Sequence, residues 1–324
     1  MSDLQSYAQW IHQQATTADI QLTAAIEPVK LSASATILRV PSDRGSLFFK
    51  APMASFAFEG KLTAALARWF PAALPRVIAV EESFGWLLME DAGTTLKQRS
   101  QEHFEVEQWV TMLREFARLQ QAAIQHMAAL AEIGVPDRRL NKLPALYQEL
   151  LTADDRGAVL LLDQPDGITS ADLNELHAAV AQVKALCTQL TSFNIPETLH
   201  HDDFHVGNVT VRDDRIMFID WGESCLAHPF FSLMLALRYA KLVFNCDDAR
   251  LDELRDAYLE GWIDYASLTE LRQAFTVAAQ LGALCRTLTW VQVARGVGAE
   301  DRAEYADAAP YWLLTFLRNT PFQA

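Results

Sequence analysis

The chain has 324 residues, of which 51% are apolar and 21% charged, with a formal net charge of −14. That length accommodates a sizeable core divided between two domains or lobes, and the ordinary apolar and charged shares exclude extended disorder. The acidic balance speaks against nucleic acid or an anionic membrane surface as the main partner, and it is compatible with a cationic small molecule.

No apolar run reaches bilayer-spanning length, so no membrane partner is expected. The N-terminal MSDLQSYAQWIHQQ lacks the basic start and apolar stretch of a secretory signal. Cys187, Cys225, Cys246 and Cys285 are widely spaced without a CxxC pair. They read as free, buried thiols of a cytoplasmic protein.

The first third reads as mixed strand and turn. Ala35 to Val40 is rich in β-formers, Pro41 to Gly45 is a turn cluster and Ser46 to Lys50 is a second strand, together a hairpin. From Phe56 to Phe70, the residues Phe58, Leu62, Leu66 and Trp69 recur at helical spacing, with Pro71 and Pro75 ending the helix. Two more strands follow, Arg76 to Val80 and Trp86 to Met89, joined by a turn at Ser83 to Gly85. Gly93 marks a change, and beyond it helices dominate.

Trp109, Met112, Leu113, Phe116 and Leu119 form one apolar stripe; Leu173, Leu176, Val180, Val183, Leu186 and Leu190 form another, opened by the capping signal Thr169-Ser170-Ala171-Asp172. One β-rich island, Asn208 to Ile219, lies between helical blocks, with Arg212-Asp213-Asp214 as its turn. After Phe230 the chain reads as helix, with breaks near Asn245 to Asp248, Gly296 to Gly298 and Pro310. Strand runs followed by helix runs indicate an α+β fold. Residues 1–91 form a small β-rich lobe and 92–324 a larger helical one.

The run Leu199-His200-His201-Asp202-Asp203-Phe204-His205 is dense in titratable groups and lies between Pro196 and a strand, so it reads as a loop. Asp220 follows the apolar Met217-Phe218-Ile219 and lies at a strand end. A hairpin beginning after Asn208 returns the chain, bringing Asp203, Asn208 and Asp220 together. Two carboxylates and an amide oxygen are hard ligands suited to Mg2+. Phosphoryl transfer asks for such ligands, for a carboxylate to take the acceptor proton, and for a cation on the phosphates. His201, Asp203 and Asn208 meet the kinase catalytic-loop spacing H-x-D-x-x-x-x-N.

From His201 to Phe230 the chain resembles the aminoglycoside phosphotransferase/choline kinase superfamily, whose catalytic segment reads H-G-D-x-H-x-G-N, two strands, I-D-W and a later G/H-x-P. His201, Asp203, His205, Gly207, Asn208, Ile219-Asp220-Trp221 and His228-Pro229 carry the resemblance. It implies a two-lobed protein-kinase-like fold with a small β-rich N-lobe and a larger helical C-lobe. It further implies an ATP- and Mg2+-dependent phosphotransferase acting on a hydroxyl of a small molecule, aminoglycoside-, choline- or homoserine-like. In these terms Asp203 is the catalytic base, His201 braces its loop, and Asn208 and Asp220 bind Mg2+. Lys50 holds the ATP phosphates with Glu59 as its partner, the backbone at Glu90 and Ala92 meets adenine, and Ser32 belongs to the nucleotide loop, Lys30 to Thr36.

The chain departs from the pattern at four places, one being the nucleotide loop, where Leu31-Ser32-Ala33-Ser34 has no glycine, unlike a protein kinase loop. Asp202 replaces a glycine, Val206 a common proline, and Ser232 stands where the pattern has an aspartate, which bears on how the loop is braced. Two other readings compete: a metal-dependent hydrolase on His200, His201, Asp202, Asp203 and His205, and a non-catalytic kinase-like nucleotide-binding protein. Arg286, Trp290 and Arg295 share a C-terminal helix, where packing is the simpler role than facing the acceptor. His103, His126 and His177 stand singly on predicted helices and read as surface or satisfied core residues.

Overall fold

Strands of alternating burial need a turn that brings them back in register, and Gly45 (φ 95°) supplies the left-handed residue for it. The computed structural model describes residues 3–100, 104–298 and 300–323, so His103 lies outside the described residues.

Ahead of that turn run α1 (Asp3–Thr17), β1 (Glu27–Leu31) and β2 (Ala35–Ser42); behind it run β3 (Gly45–Pro52), α2 (Phe58–Trp69), β4 (Val77–Glu81) and β5 (Trp86–Glu90). The β2–β3 ladder holds from Ser42↔Gly45 to Ala35↔Pro52. The predicted hairpin therefore forms, but β3 continues past Lys50, which lies inside the strand rather than at its end. The antiparallel sheet has the order β1-β2-β3-β5-β4.

One sheet face buries Leu38, Val40, Leu47, Phe49 and Leu88 under Ile11 and Ala15 of α1. Each large apolar side chain so buried contributes roughly 1.5–3 kcal/mol. The mixed strand-and-turn reading of the first third missed both α1 and β1. Only Ile11 and Ala15 of α1 are fully buried, and all five residues of β1 are exposed, so neither carries a clear apolar period.

Beyond Glu90 come β6 (Thr94–Thr95), α3 (Leu96–Arg99), α4 (Val106–Ala123), α5 (Met127–Ile133), α6 (Leu143–Thr152), α7 (Arg156–Val159), α8 (Ser170–Ala178) and α9 (Val180–Thr191). Next are β7 (Thr198–His201), β8 (Val209–Arg212), β9 (Arg215–Phe218), β10 (Ser224–Ala227) and α10 (Phe230–Phe244). Helices α11 (Asp248–Leu259), α12 (Leu268–Gly296), α13 (Arg302–Tyr305) and α14 (Ala308–Arg318) complete the order. This α+β arrangement, strand-rich then helical, matches the two-lobed expectation.

The Trp109 stripe is buried as α4. The Leu173–Leu190 stripe forms two helices, not one, interrupted at Ala179. Thr169 closes the predicted capping box with Asp172, a cap worth about 1 kcal/mol. Pro310 does not break a helix; it occupies the first turn of α14, where a missing N–H costs nothing. All four cysteines are free and buried. Among the described residues no helix is long and apolar enough to cross a membrane.

Candidate active site

Two short ladders carry the site. β7 pairs with β10, aligning His201 with Ser224 and His200 with Cys225. His200 and His201 are thus on a buried strand, not in the expected loop; four consecutive buried positions give no alternation to read. The β8–β9 hairpin turns at Asp213 and Asp214, both at positive φ (50° and 58°), as a two-residue turn requires. It brings the Ile219 N–H to the Asn208 carbonyl at 3.0 Å, so Asp220 returns beside the start of β8.

The turn after β7 presents Asp203. His201 is buried and held neutral by burial. Its Nε2 donates to the Ile219 carbonyl at 3.0 Å and its Nδ1 accepts the Asp203 N–H at 3.2 Å. Those partners fix one tautomer, and His201 ties Asp203 to the segment that delivers Asp220. Asn208 Nδ2 donates to the Asp203 carbonyl (2.9 Å) and to Asp203 Oδ2 (2.8 Å). With its NH2 so engaged, the Asn208 amide oxygen is left for another partner.

The other Asp203 oxygen, Oδ1, accepts from Arg286 Nη2 at 2.9 Å, and His205 Nε2 lies 3.3 Å from Oδ2. Burial opposes ionisation of Asp203, but Arg286 and His205 outweigh it and hold the carboxyl well below the usual range. Arg286 comes from α12, stacks its guanidinium 5.1 Å from Trp290, and also reaches the Asp202 carbonyl and Glu223. The sequence placed Arg286 in packing. The available signal was a cation directly after the apolar run Leu281-Gly282-Ala283-Leu284-Cys285, which must find a counter-charge when buried.

Across the cleft, Lys50 Nζ sits 2.6 Å from Glu59 Oε1 and 2.5 Å from Asp220 Oδ1. Lys50 and Glu59 are buried, while Asp220 keeps 42% of its side chain exposed. Burial alone would neutralise the lysine; Asp220 and Glu59 reverse that and raise its pKa. Asp220 itself is at φ 65°, a left-handed conformation that costs on the order of 1 kcal/mol for a residue with a Cβ. A Cβ on Gly222 would stand 2.8 Å from Glu59 Oε2, so this glycine lets the Asp220 segment approach α2.

A cleft of about 500 Å³ runs between the lobes, walled by Val29, Ile37, Phe48, Met89 and Ile219 and carrying Lys50, Asn208 and Asp220. Glu90 and Ala92 line it as well. The Glu90 amide is used by the Arg76 carbonyl, whereas the buried Ala92 amide has no partner among the described residues. Ser32 is not brought to the cleft wall. Its hydroxyl closes the β1–β2 turn on Ala35 and Ser34. A second recess, of about 170 Å³, opens beside Asp203 between His205, Arg238, Tyr239, Leu242, Arg286 and Trp312.

The His/Asp run does not converge as a zinc or iron site. The one group of metal-ligand type found among the described residues is His200, Cys225 and Cys285, and both His200 nitrogens already meet Asp202 and Ser232. Asn208 and Asp220 do suit Mg2+: a free amide oxygen and a half-exposed carboxylate are oxygen ligands on one cleft wall.

The family model described as "Phosphotransferase enzyme family" matches residues 26–271. No curated protein sequence matches the chain. Among solved structures, the chain is similar to macrolide 2'-phosphotransferase from Brachybacterium faecium, with 16% identity, a TM-score of 0.59 and coverage of 92% of this chain and 96% of that one. It is similar to Plasmodium vivax ethanolamine kinase at 13% identity and TM-score 0.62, covering 91% and 84% of the two chains. A third likeness, at 13% identity and TM-score 0.57 over 97% and 94%, is to amicoumacin kinase in complex with AMP-PNP and Ca2+. At these identities the structural likeness speaks for the fold.

Proposed function

The chain belongs to the phosphotransferase enzyme family, a family of small-molecule kinases, and on that premise we propose that it moves the γ-phosphate of ATP, with Mg2+, to a hydroxyl of a small molecule. One observation carries this reading: Lys50, Asn208 and Asp220 stand in the wall of a single cleft, and Asn208 is hydrogen-bonded to Asp203.

Adenine fits the apolar end of the cleft, where Val29, Ile37 and Phe48 offer flat contact and the unpartnered Ala92 N–H offers a donor. Lys50, kept charged by Glu59 and Asp220, is the cation for the phosphates. Asn208 and Asp220 are the residues that would hold Mg2+, whose chemistry when bound is to neutralise phosphate charge and orient the transferred group. Asp203 orients the acceptor hydroxyl and receives its proton. Held anionic by Arg286 and His205, it is a weak base, and that suits a transfer in which the proton leaves late and alignment does most of the work.

The recess beside Asp203 is the place for the acceptor. Among the described residues its one carboxylate is Asp203, already bonded to Arg286, and two guanidinium groups stand in its wall. A polycation finds no further anionic partner there, so a cationic acceptor is supported by overall charge alone.

The test is ADP release with Mg2+ across hydroxyl-bearing metabolites and antibiotics. Asp220→Ala should cut turnover by about 10²-fold or more, as expected for losing electrostatic stabilisation of a transferring phosphoryl group, and EDTA should abolish it. Turnover that survives EDTA would contradict the reading.

A further inference from the structure

Behind the Asp203 turn lies a set of buried charges that line neither the inter-lobe cleft nor the recess beside Asp203. Asp202 is fully buried. Its Oδ1 stands 2.9 Å from His200 Nε2. Its Oδ2 accepts from the Thr289 hydroxyl and lies 3.4 Å from Arg138 Nη1. Arg138 also donates to the Cys285 carbonyl at 3.2 Å and to Gln292 Oε1 at 3.1 Å. The far nitrogen of His200 meets Ser232 Oγ at 2.7 Å, and that hydroxyl accepts the His201 N–H at 3.2 Å.

One carboxylate therefore joins strand β7, the segment after α5, helix α12 and, through His200, helix α10. The carbonyl of the same residue accepts from Arg286, whose other nitrogen holds Asp203 Oδ1. Asp202 is fixed by side chain and backbone alike, and the next residue is the one that faces the acceptor. Buried ion pairs are poor devices for stability, because desolvation offsets much of their attraction. Fixing one geometry is the use that remains.

We propose that Asp202 is a positioning residue: its carboxylate, gripped by His200, Arg138 and Thr289, fixes the turn that presents Asp203. The proposal rests on the reading of Asp203 as the group that orients the acceptor hydroxyl. It also makes residues 202 and 232 interchangeable in part. His200 bridges them, so a carboxylate at 232 would meet its Nδ1 face and restore its counter-charge, while Arg138 and Thr289 would lose the carboxylate they now share.

The test uses the full chain with Mg-ATP and three readouts: ADP release with water as acceptor, melting temperature, and amide hydrogen exchange of residues 201–208. Asp202→Asn, close in shape, should lower kcat by about 100-fold, as a misplaced reacting group does, with KM for ATP within about twofold. Exchange in 203–208 should quicken. Asp202→Ser should be worse, and adding Ser232→Asp should recover at least about tenfold of its lost kcat. If Asp202→Asn does not fold, the paired Ser variants and Arg138→Met carry the same expectation. A lower melting temperature with unchanged kcat and exchange would reduce the network to a structural ion pair and overturn the proposal. So would a double variant no better than Asp202→Ser. Failure of the underlying reading is separate: Asp203→Asn would then turn over ATP like the wild type, whatever Asp202→Asn does.

Discussion

Asp203 is tied at both oxygens, and each tie comes from a different distance along the chain. Asn208 and His205 are local, and their spacing from Asp203 is visible in the sequence, as is the step of nine residues from Lys50 on its strand to Glu59 on the following helix. Arg286, which holds Asp203, and Arg138 and Thr289, which hold Asp202, arrive from other elements and no spacing announces them; only Arg286, directly after an apolar run, hints at a buried partner. His200 illustrates what such burial does. Burial would lower its pKa from 6.5, but the Asp202 carboxylate outweighs that and raises it to about 9. A raised folded-state value means that the stabilisation is complete below about pH 6.5 and is lost as pH climbs towards 9. The span corresponds to on the order of 3 kcal/mol. Urea unfolding of the wild type should therefore weaken across that window, and His200→Gln should flatten the slope while lowering stability at pH 6. Parallel slopes would show that His200 does not titrate there.

At the level of elements, α2 bears on the proposed nucleotide site because it carries Glu59, the partner of Lys50. Its seat is set by two glycines. A Cβ on Gly60 would come within 2.8 Å of the Gly85 carbonyl, and one on Gly85, already at φ 70°, within 2.3 Å of the Ala57 carbonyl. Backbone cannot yield as a flexible side-chain tip does. Gly85→Ala should thus cost about 1–3 kcal/mol and weaken ATP binding by moving Glu59 off Lys50, measured by urea denaturation and nucleotide titration. Unchanged ATP affinity in that variant would separate α2 from the phosphate lysine. Long periodic elements such as α4 and the β2–β3 hairpin were legible because one face is apolar. Strands β7 and β10 were not, since every residue in each is buried. Helix α1 was lost because most of its residues face solvent.

For the molecule as a whole, the 29-residue α12 links the two lobes. It places Arg286 on Asp203 and, nearer its C-terminal end, packs Val293 against Met53 and Phe56 of the N-terminal lobe. Gln292 adds a 2.7 Å hydrogen bond to the Ser55 carbonyl, and Lys50 to Asp220 closes the cleft from the other side. The α+β order and the catalytic segment were readable from composition shifts and one motif; the way a distant helix unites them was a matter of packing. On the proposed reading, Asp203 is the group that aligns and deprotonates the acceptor. The most direct measurement is turnover and ATP affinity of Asp203→Asn side by side. The account predicts a fall in kcat of about 10²–10⁴-fold with ATP affinity within about threefold of wild type, since Lys50, Asn208 and Asp220 keep their places. Substantial turnover retained in Asp203→Asn would contradict it.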